Sequence, residues 1–291
     1  MAHEHNHEKI GWTIILNIII TLAEYIGGMI SGSLALLSDA GHNLSDVTAL
    51  ILSYFGEKIS DKKTNKKHSF GFKRVEVFTA LINALVLWAI SVYIIIEAIN
   101  RFGQIQPISL GIMIGVGSIG LFGNIFSVMI LNKEKGKNLN MKAAYLHLFY
   151  DAISAVGVII TGIIIYYTHF YVLDIIMSII ISLMIFWGGL SVIKSSLHIF
   201  MQGVPEGIDF DKVKDKIKKI KNVKTVHDLH LWAIDSNEIR LSCHVCVEKV
   251  KNSDDIINDI NKLLLKDFNI SHTTIQLENN DLCKEKAICS K

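Results

Sequence analysis

The sequence has few of the residues that punctuate a soluble enzyme. Only 2 of its 291 residues are proline and only 19% are charged, whereas 51% are hydrophobic. This balance is too apolar for an ordinary soluble enzyme and is typical of a membrane protein. The formal net charge of +2 is too small to indicate a nucleic-acid partner. No Walker-type nucleotide-binding motif occurs, so nothing predicts ATP-driven chemistry.

Cysteine is scarce and falls at one end of the chain. The four cysteines are Cys243, Cys246, Cys283 and Cys289, and their spacing does not suggest a secreted disulfide framework. We therefore expect this end of the chain to lie in the reducing cytosol. The first residues lack a cleavable signal-peptide pattern, so we expect the first apolar run to stay in the membrane.

Apolar runs dominate the chain up to about residue 200. A helix needs about 20 apolar residues to cross a bilayer. We predict six such helices: 10–31, 33–57, 75–99, 108–131, 141–166 and 171–197. Lysine and arginine are concentrated in the links after the second and fourth helices, as the positive-inside rule requires of cytoplasmic loops. Both termini are then expected in the cytosol.

The pattern changes from Pro205 onward, where a helical stretch is followed by two alternating strands, a helix and a strand. This order predicts a small ferredoxin-like unit. The predicted fold is therefore an all-α six-helix membrane bundle with a C-terminal cytosolic α+β domain. The predicted boundaries are a histidine-containing leader over 1–9, the bundle over 10–204, the α+β domain over 205–281 and a cysteine-containing tail over 282–291.

Two predicted membrane helices repeat one polar motif. His42 and Asp46 lie four residues apart in the second helix, and His147 and Asp151 in the fifth, so each pair shares a helix face. Ionisable groups inside a bilayer cost several kcal/mol unless paired or functional. A single one could simply hydrogen-bond across the bundle, but the repeated pair favours a metal site. Two imidazoles and two carboxylates suit Zn²⁺ better than Mg²⁺ or Ca²⁺.

The segments SDAGHNLSD, HSFGFKRVEV, HLFYDAISAVGVII, GVPEGID and VHDLHLW resemble the cation diffusion facilitator family, in its zinc-transporting branch. The resemblance covers nearly the whole chain. It implies a homodimeric metal–proton antiporter whose transport site is His42, Asp46, His147 and Asp151. Manganese and iron branches commonly carry Asp or Asn at the histidine positions, so the retained histidines favour zinc, with cobalt and cadmium as surrogates.

The resemblance also implies a regulatory metal site in the C-terminal domain. His227, His244 and Glu278 match positions that bind zinc in some family members, and Cys283 and Cys289 follow closely. The two cysteines depart from the tight C-x-x-C of some relatives, which leaves thiol ligands open.

Strand alternation separates the other two cysteines. Cys246 is predicted to share a face with His244, where it could join a metal site, whereas Cys243 is predicted to pack on the opposite face.

Several further polar residues are weaker candidates. A link site of some bacterial relatives corresponds here to Asn65, His68 and Phe72, and since only His68 can bind metal there, we expect a solvated basic loop instead. Asp39 is interpreted as a helix cap rather than a ligand. The leader histidines, His3, His5 and His7, either collect zinc weakly or form a solvated tail.

Zinc binds deprotonated imidazole and carboxylate, so protons and metal compete for one site. The sequence therefore predicts a secondary transporter, not an enzyme, that exports Zn²⁺ for protons by alternating access. The alternatives are a zinc-binding sensor or scaffold without transport, and an intramembrane metallohydrolase, which needs an open metal position and a general base. Compact loops favour a bacterial plasma membrane over an organellar one.

Overall fold

The computed structural model describes the chain over 2–60, 62, 64–102, 106–132, 139–236, 238–248 and 253–279. Within those ranges only the backbone is described at 2–14, 49–50, 53–55, 57–58, 130–131, 139–144 and 146–147. The chain divides into two compact units, one comprising Met1–Phe55 and Thr79–Ile193 and the other Gly56–Phe78 and Lys194–Lys291.

Six long helices form the N-terminal two thirds of the chain. They are α1 (Ala2–Ser31), α2 (Leu34–Ser60), α3 (Arg74–Phe102), α4 (Leu110–Asn132), α5 (Leu139–Thr168) and α6 (Val172–Phe200). Their bounds lie within three residues of the predicted segments, except that α1 already begins at Ala2. The predicted six-helix architecture is confirmed.

Four of these helices are long and apolar enough, over the described residues, to cross a membrane. The spans are Arg74–Phe102, Leu110–Met129, Leu148–Thr168 and Val172–Phe200. The described part of α1 adds a shorter apolar stretch, Ile15–Ser31. The helix α2 is not in this set, and it is the helix that carries the first His–Asp motif.

Three helices are tied together where α2 begins. The Asp174 carboxylate of α6 accepts hydrogen bonds from Ser33 Oγ at 2.5 Å and from the Leu34 N–H at 2.8 Å. A carboxylate is favourable there because the first N–H groups of a helix lack partners and carry partial positive charge. From α3, Arg101 Nη1 donates to the Gly32 carbonyl at 2.7 Å. These bonds fix the start of α2 relative to α3 and α6. They thereby fix where the polar residues of α2 lie along the axis of the bundle.

The C-terminal domain has the predicted element order. It comprises α7 (Phe210–Lys218), β1 (Val223–Ala233), β2 (Ile239–Val247), α8 (Ser253–Phe268) and β3 (His272–Asn279). The sheet order is β1-β2-β3, with β1 antiparallel to β2 and β2 parallel to β3. Parallel neighbours need a crossover connection, and α8 supplies it. The predicted small α+β domain is confirmed.

Both helices of this domain bury an apolar stripe against one face of the sheet. Val213 and Ile217 of α7 and Ile260 of α8 are fully buried in a core that includes Leu241 and Val245 of the central strand. The other face of the sheet is thereby left free for polar side chains.

The link between α2 and α3 belongs to the same compact unit as the C-terminal domain. Lys73 pairs with Glu238, which also pairs with Arg240. The Arg240 guanidinium lies 5.8 Å from the centre of the Phe70 ring, within cation–π range. The sequence predicted a solvated basic loop here. Residues 64–70 of this link are exposed, and Lys73 and Phe70 in addition contact Glu238 and Arg240.

Replacing Asp174 by Asn should destabilise the membrane unit. The asparagine amide has no charge, and its N–H₂ group faces hydrogen-bond donors. We expect the free energy of unfolding to fall by about 1.5 to 3 kcal/mol, the contribution of a hydrogen bond to a charged group. The measurement is the thermal unfolding midpoint in detergent. Ser178→Ala is the control, because Ser178 is equally buried on α6 but its hydroxyl donates within its own helix. Equal shifts for the two variants would contradict this role of Asp174.

Candidate metal centre

The structure brings together three of the four predicted transport-site residues. His42 Nε2 lies 3.8 Å from Asp46 Oδ2 and 3.4 Å from Asp151 Oδ1. One ligand atom from each residue lies within 4.8 Å of the others. The spacing of four residues puts His42 and Asp46 on one face of α2, and that face meets α5 at Asp151. The side chain of His147 lies outside the described residues, although its backbone is one helical turn before Asp151 in α5.

The three residues line a cavity within the membrane unit. It measures about 790 Å³ and is lined by residues of α2, α3, α5 and α6. Asp151 is nearly inaccessible at 2% exposure, whereas the side chains of His42 and Asp46 retain 31% and 22%. Most of the lining is apolar, with Asn83 and Ser154 among the few polar side chains. An ion entering this cavity therefore meets the His–Asp cluster as its main polar feature.

Asp39 does not cap α2. That helix begins at Leu34, and Ser33 occupies the cap position with its hydroxyl accepting from the Leu36 N–H at 3.1 Å. Asp39 is instead buried and accepts from Ser154 Oγ of α5 at 2.6 Å. The signal was present in the sequence, because Asp39 precedes His42 by three residues and so shares its helix face. Asp39 ties α2 to α5 beside the metal centre.

A second cluster lies on the sheet of the C-terminal domain. Glu278 bridges two histidines, with Oε2 at 3.2 Å from His227 Nε2 and Oε1 at 2.9 Å from His244 Nδ1. The Sγ atom of Cys246 lies 3.8 Å from His227 Nδ1. Strand register explains the grouping, because His227 is opposite His244 and Cys246 is opposite Glu278. Cys283 and Cys289 fall outside the described residues.

Asp228 joins this cluster although the sequence pattern did not single it out. The register of β1 shifts between His227 and His230, and Asp228 has a positive φ of 47°, a conformation in which Asp is enriched. Its Oδ2 lies 3.7 Å from His244 Nε2 and its Oδ1 lies 3.1 Å from His230 Nε2. An irregularity of this kind re-aims a side chain, and strict alternation along the strand cannot predict it.

The two cysteines of β2 face opposite sides of the sheet, as strand alternation predicted. Cys243 is in the hydrophobic core at 1% exposure, whereas Cys246 faces His227. Burial raises the pKa of the Cys243 thiol to about 12, because an apolar environment disfavours the thiolate. Cys243 is therefore a packing residue.

The link residues form a turn rather than a ligand set. Asn65 Oδ1 accepts from the backbone N–H groups of Lys67 and His68, each at 2.9 Å. The His68 ring packs against Phe72 with centroids 4.4 Å apart. Local capping and ring packing account for these side chains. The side chains of His3, His5 and His7 lie outside the described part of the chain.

Comparison with known families accounts for both parts of the chain. Residues 12–201 match the cation efflux transmembrane domain, and residues 205–280 match the cation efflux protein cytoplasmic domain. The first match alone covers more than half of the chain, so this protein belongs to the cation efflux, or cation diffusion facilitator, family. The family predicted from the sequence motifs is confirmed, and the chain is a multi-pass membrane protein.

Similar proteins extend over nearly the whole chain. The "Cadmium, cobalt and zinc/H(+)-K(+) antiporter" of Bacillus subtilis strain 168 is 36% identical over 302 aligned positions, covering 98% of this chain and 97% of its own. The "Zinc transporter ZitB" of Pectobacterium atrosepticum is 36% identical, covering 96% and 89%. A solved structure, the metal-bound C-terminal domain of the CzcD transporter from Cuprividus metallidurans, covers 24% of this chain and 99% of its own at 33% identity, with a TM-score of 0.24.

We expect Cys243 to resist alkylation in the folded protein. Its side chain is inaccessible, and at mildly alkaline pH its raised pKa leaves almost no thiolate. The measurement is the labelling of the Cys243 peptide by iodoacetamide, followed by mass spectrometry. The same peptide labelled after unfolding is the control. Equally fast labelling of the native and unfolded protein would contradict the assignment of Cys243 to the core.

Proposed function

We propose that this protein is a secondary active transporter that exports Zn²⁺ from the cytosol in exchange for protons. One observation carries the proposal, the grouping of His42, Asp46 and Asp151 within 4.8 Å at a cavity of the membrane unit. The names of the relatives support it, because they describe a zinc transporter and an antiporter of cadmium, cobalt and zinc. Members of this family move cations across membranes and are not enzymes.

The ligand types favour zinc as the substrate. One imidazole nitrogen and two carboxylate oxygens are grouped. We propose His147, which precedes Asp151 by four residues in α5, as the source of a second imidazole. Four such ligands complete the tetrahedral shell that Zn²⁺ prefers, whereas Mg²⁺ and Ca²⁺ prefer more numerous oxygen ligands. Co²⁺ and Cd²⁺ are surrogates because they accept the same mixed nitrogen and oxygen donors.

Competition between zinc and protons couples the two fluxes. His42 binds metal only as neutral imidazole, and Asp46 and Asp151 only as carboxylates, so zinc entry expels protons and proton entry expels zinc. When the cavity opens to the cytosol the site takes up zinc, and when it opens to the other side protons replace the metal. Rocking of helices about a fixed site near the midplane provides this alternation without ATP.

The topology follows from the number of helices and the distribution of charge. We place both termini and the C-terminal domain in the cytosol, of a bacterial plasma membrane rather than an organelle, and we propose a homodimer. The match of residues 205–280 to a cytoplasmic domain supports this orientation. The predicted boundaries at residues 9, 204 and 281 are retained as part of the proposal.

The cluster on the sheet is proposed as a regulatory zinc site. The Glu278 carboxylate lies within hydrogen-bond distance of both His227 and His244, and Cys246 Sγ lies 3.8 Å from His227 Nδ1. Imidazole nitrogens and carboxylate oxygens are ligands that suit zinc. This cluster is also what a zinc sensor without transport would need, so flux must be measured beside binding.

Flux through reconstituted protein tests the transport site. In proteoliposomes an imposed proton gradient should drive zinc uptake, and Asp151→Asn should reduce it by more than about tenfold. Mutating a residue that only hydrogen-bonds to a metal ligand costs about 10- to 100-fold in metal affinity or activity. Asp151 is proposed to be a ligand itself, so its loss should cost at least as much. Tyr150→Phe is the matched control, since Tyr150 lines the same cavity without a carboxylate. Full flux in Asp151→Asn, or no proton-coupled flux in the parent protein, would contradict the proposal.

Equilibrium zinc binding tests the cytosolic site. In the full-length protein, Glu278→Gln should lower the number of zinc ions bound per chain by about one, because the bridging carboxylate becomes a poor ligand. Transport at saturating zinc should persist, since the transport ligands are unchanged. Glu248→Gln serves as the control, because Glu248 is 64% exposed and pairs with Lys224. An unchanged number of bound ions in Glu278→Gln would remove this site from the proposal.

A further inference from the structure

A buried carboxylate in the membrane unit has no role in the metal centre. Glu24 of α1 is completely buried. Its Oε2 accepts a hydrogen bond from Asn43 Nδ2 of α2 at 2.7 Å. Its Oε1 is buried and accepts no hydrogen bond from any part of the chain that the structure describes. The carboxylate thus lies between helices, with one oxygen accepting a hydrogen bond and the other accepting none from the described residues.

The surroundings of Glu24 are rich in oxygen acceptors. The Oδ1 atoms of Asn17, Asn43 and Asn124 are buried and likewise lack a hydrogen-bond partner among the described residues, as does one neutral donor, Asn124 Nδ2. Asn17 precedes Glu24 by two helical turns on α1, and Asn124 follows Gly120 by about one turn on α4, where a Cβ at Gly120 would overlap Glu24 Oε1. No lysine or arginine occurs among the described side chains of α1, α2 and α4 that lie within the membrane unit. The region therefore offers negative charge and acceptors without a fixed cation.

Close packing limits what can neutralise the carboxylate. An unpaired charge in a bilayer is costly, so it is removed by a proton or balanced by an ion. A monovalent metal ion needs several oxygens arranged around a space of its own size. Oε1 instead lies so close to Gly120 that even a methyl group would not fit between them. A proton needs no such space.

We propose that Glu24 is a second proton-binding site of the transporter, which releases its proton when zinc binds and regains it when zinc leaves. The proposal deepens the exchange of zinc for protons and rests on it. In the release step the O–H bond of the carboxylic acid breaks and the proton passes to water. The resulting carboxylate keeps the hydrogen bond from Asn43.

The position of Asn43 explains the coupling. It directly follows His42 on α2, so the metal centre and Glu24 flank the same helix turn. The charged groups around Glu24 are Asp39 and His42 from α2 and Asp151 from α5, while the described part of α4 contributes none. Zinc adds two positive charges among these groups. Like charges repel, so bound zinc disfavours the proton on Glu24.

Counting protons tests the proposal. Calorimetric titration of the full-length protein with zinc, in buffers of different ionisation enthalpy, gives the number of protons released per zinc. Glu24→Gln should release about one fewer, because the glutamine keeps the acceptor for Asn43 and the shape of the protonated acid but cannot ionise. Glu97→Gln is the control, since Glu97 already pairs with Arg101 at 2.9 Å. An unchanged count in Glu24→Gln would overturn the proposal.

Two further measurements separate the outcomes. Infrared difference spectra of the parent protein should show a protonated-carboxyl band that is lost when zinc binds, and the Glu24 component of this loss should be absent from Glu24→Gln. If instead KCl but not choline chloride shifts zinc affinity at constant pH, and Glu24→Gln abolishes that shift, the occupant is a monovalent cation and the proposal fails. Absence of proton-coupled flux in the parent protein would defeat the transport function itself, whereas proton-coupled flux with an unchanged proton count defeats only this inference.

Discussion

Carboxylates in the membrane unit must each find a partner, because a bilayer offers no water to solvate them. Four of them meet this constraint in different ways. Asp174 accepts from the N-terminus of α2, Asp39 accepts from Ser154, Asp151 lies beside His42, and Glu24 accepts from Asn43. Three of these partners belong to α2. That helix is therefore held by its neighbours through polar contacts, whereas the more apolar helices pack mainly through apolar side chains.

The C-terminal domain solves a different problem, because its polar cluster sits on a sheet face and not inside a bilayer. One face of the sheet is covered by α7 and α8 and holds Cys243, while the opposite face presents His244 and Cys246. Adjacent strands lie about 4.8 Å apart, so side chains paired by register reach one another directly. Glu278 contacts both His227 and His244 for this reason. A ligand set here needs only the correct register, whereas the membrane site needs whole helices to be positioned.

Features governed by local pattern could be predicted from the sequence, and features governed by distant partners could not. Apolar length gave the helices, and four-residue spacing put His42 and Asp46 on one face. Asp174 and Ser33 are 141 residues apart, so no periodicity links them. Asp39 was misread as a cap because its partner Ser154 is 115 residues away. Asp228 was missed because a strand irregularity breaks the alternation on which the prediction depended.

The geometry of α2 would make the proposed transport site sensitive to groups that do not touch the metal. Successive residues of a helix point about 100° apart, so His42 can face α5 while Asn43 bonds to Glu24 of α1. In the proposed exchange, a change of charge on one side of this turn acts on the other through low-dielectric protein, where Coulomb energies are far larger than in water. The asparagine passes no proton itself, but its hydrogen bond holds the Glu24 carboxylate against α2. Under the proposal, metal occupancy and the protonation of Glu24 are linked through this electrostatic interaction.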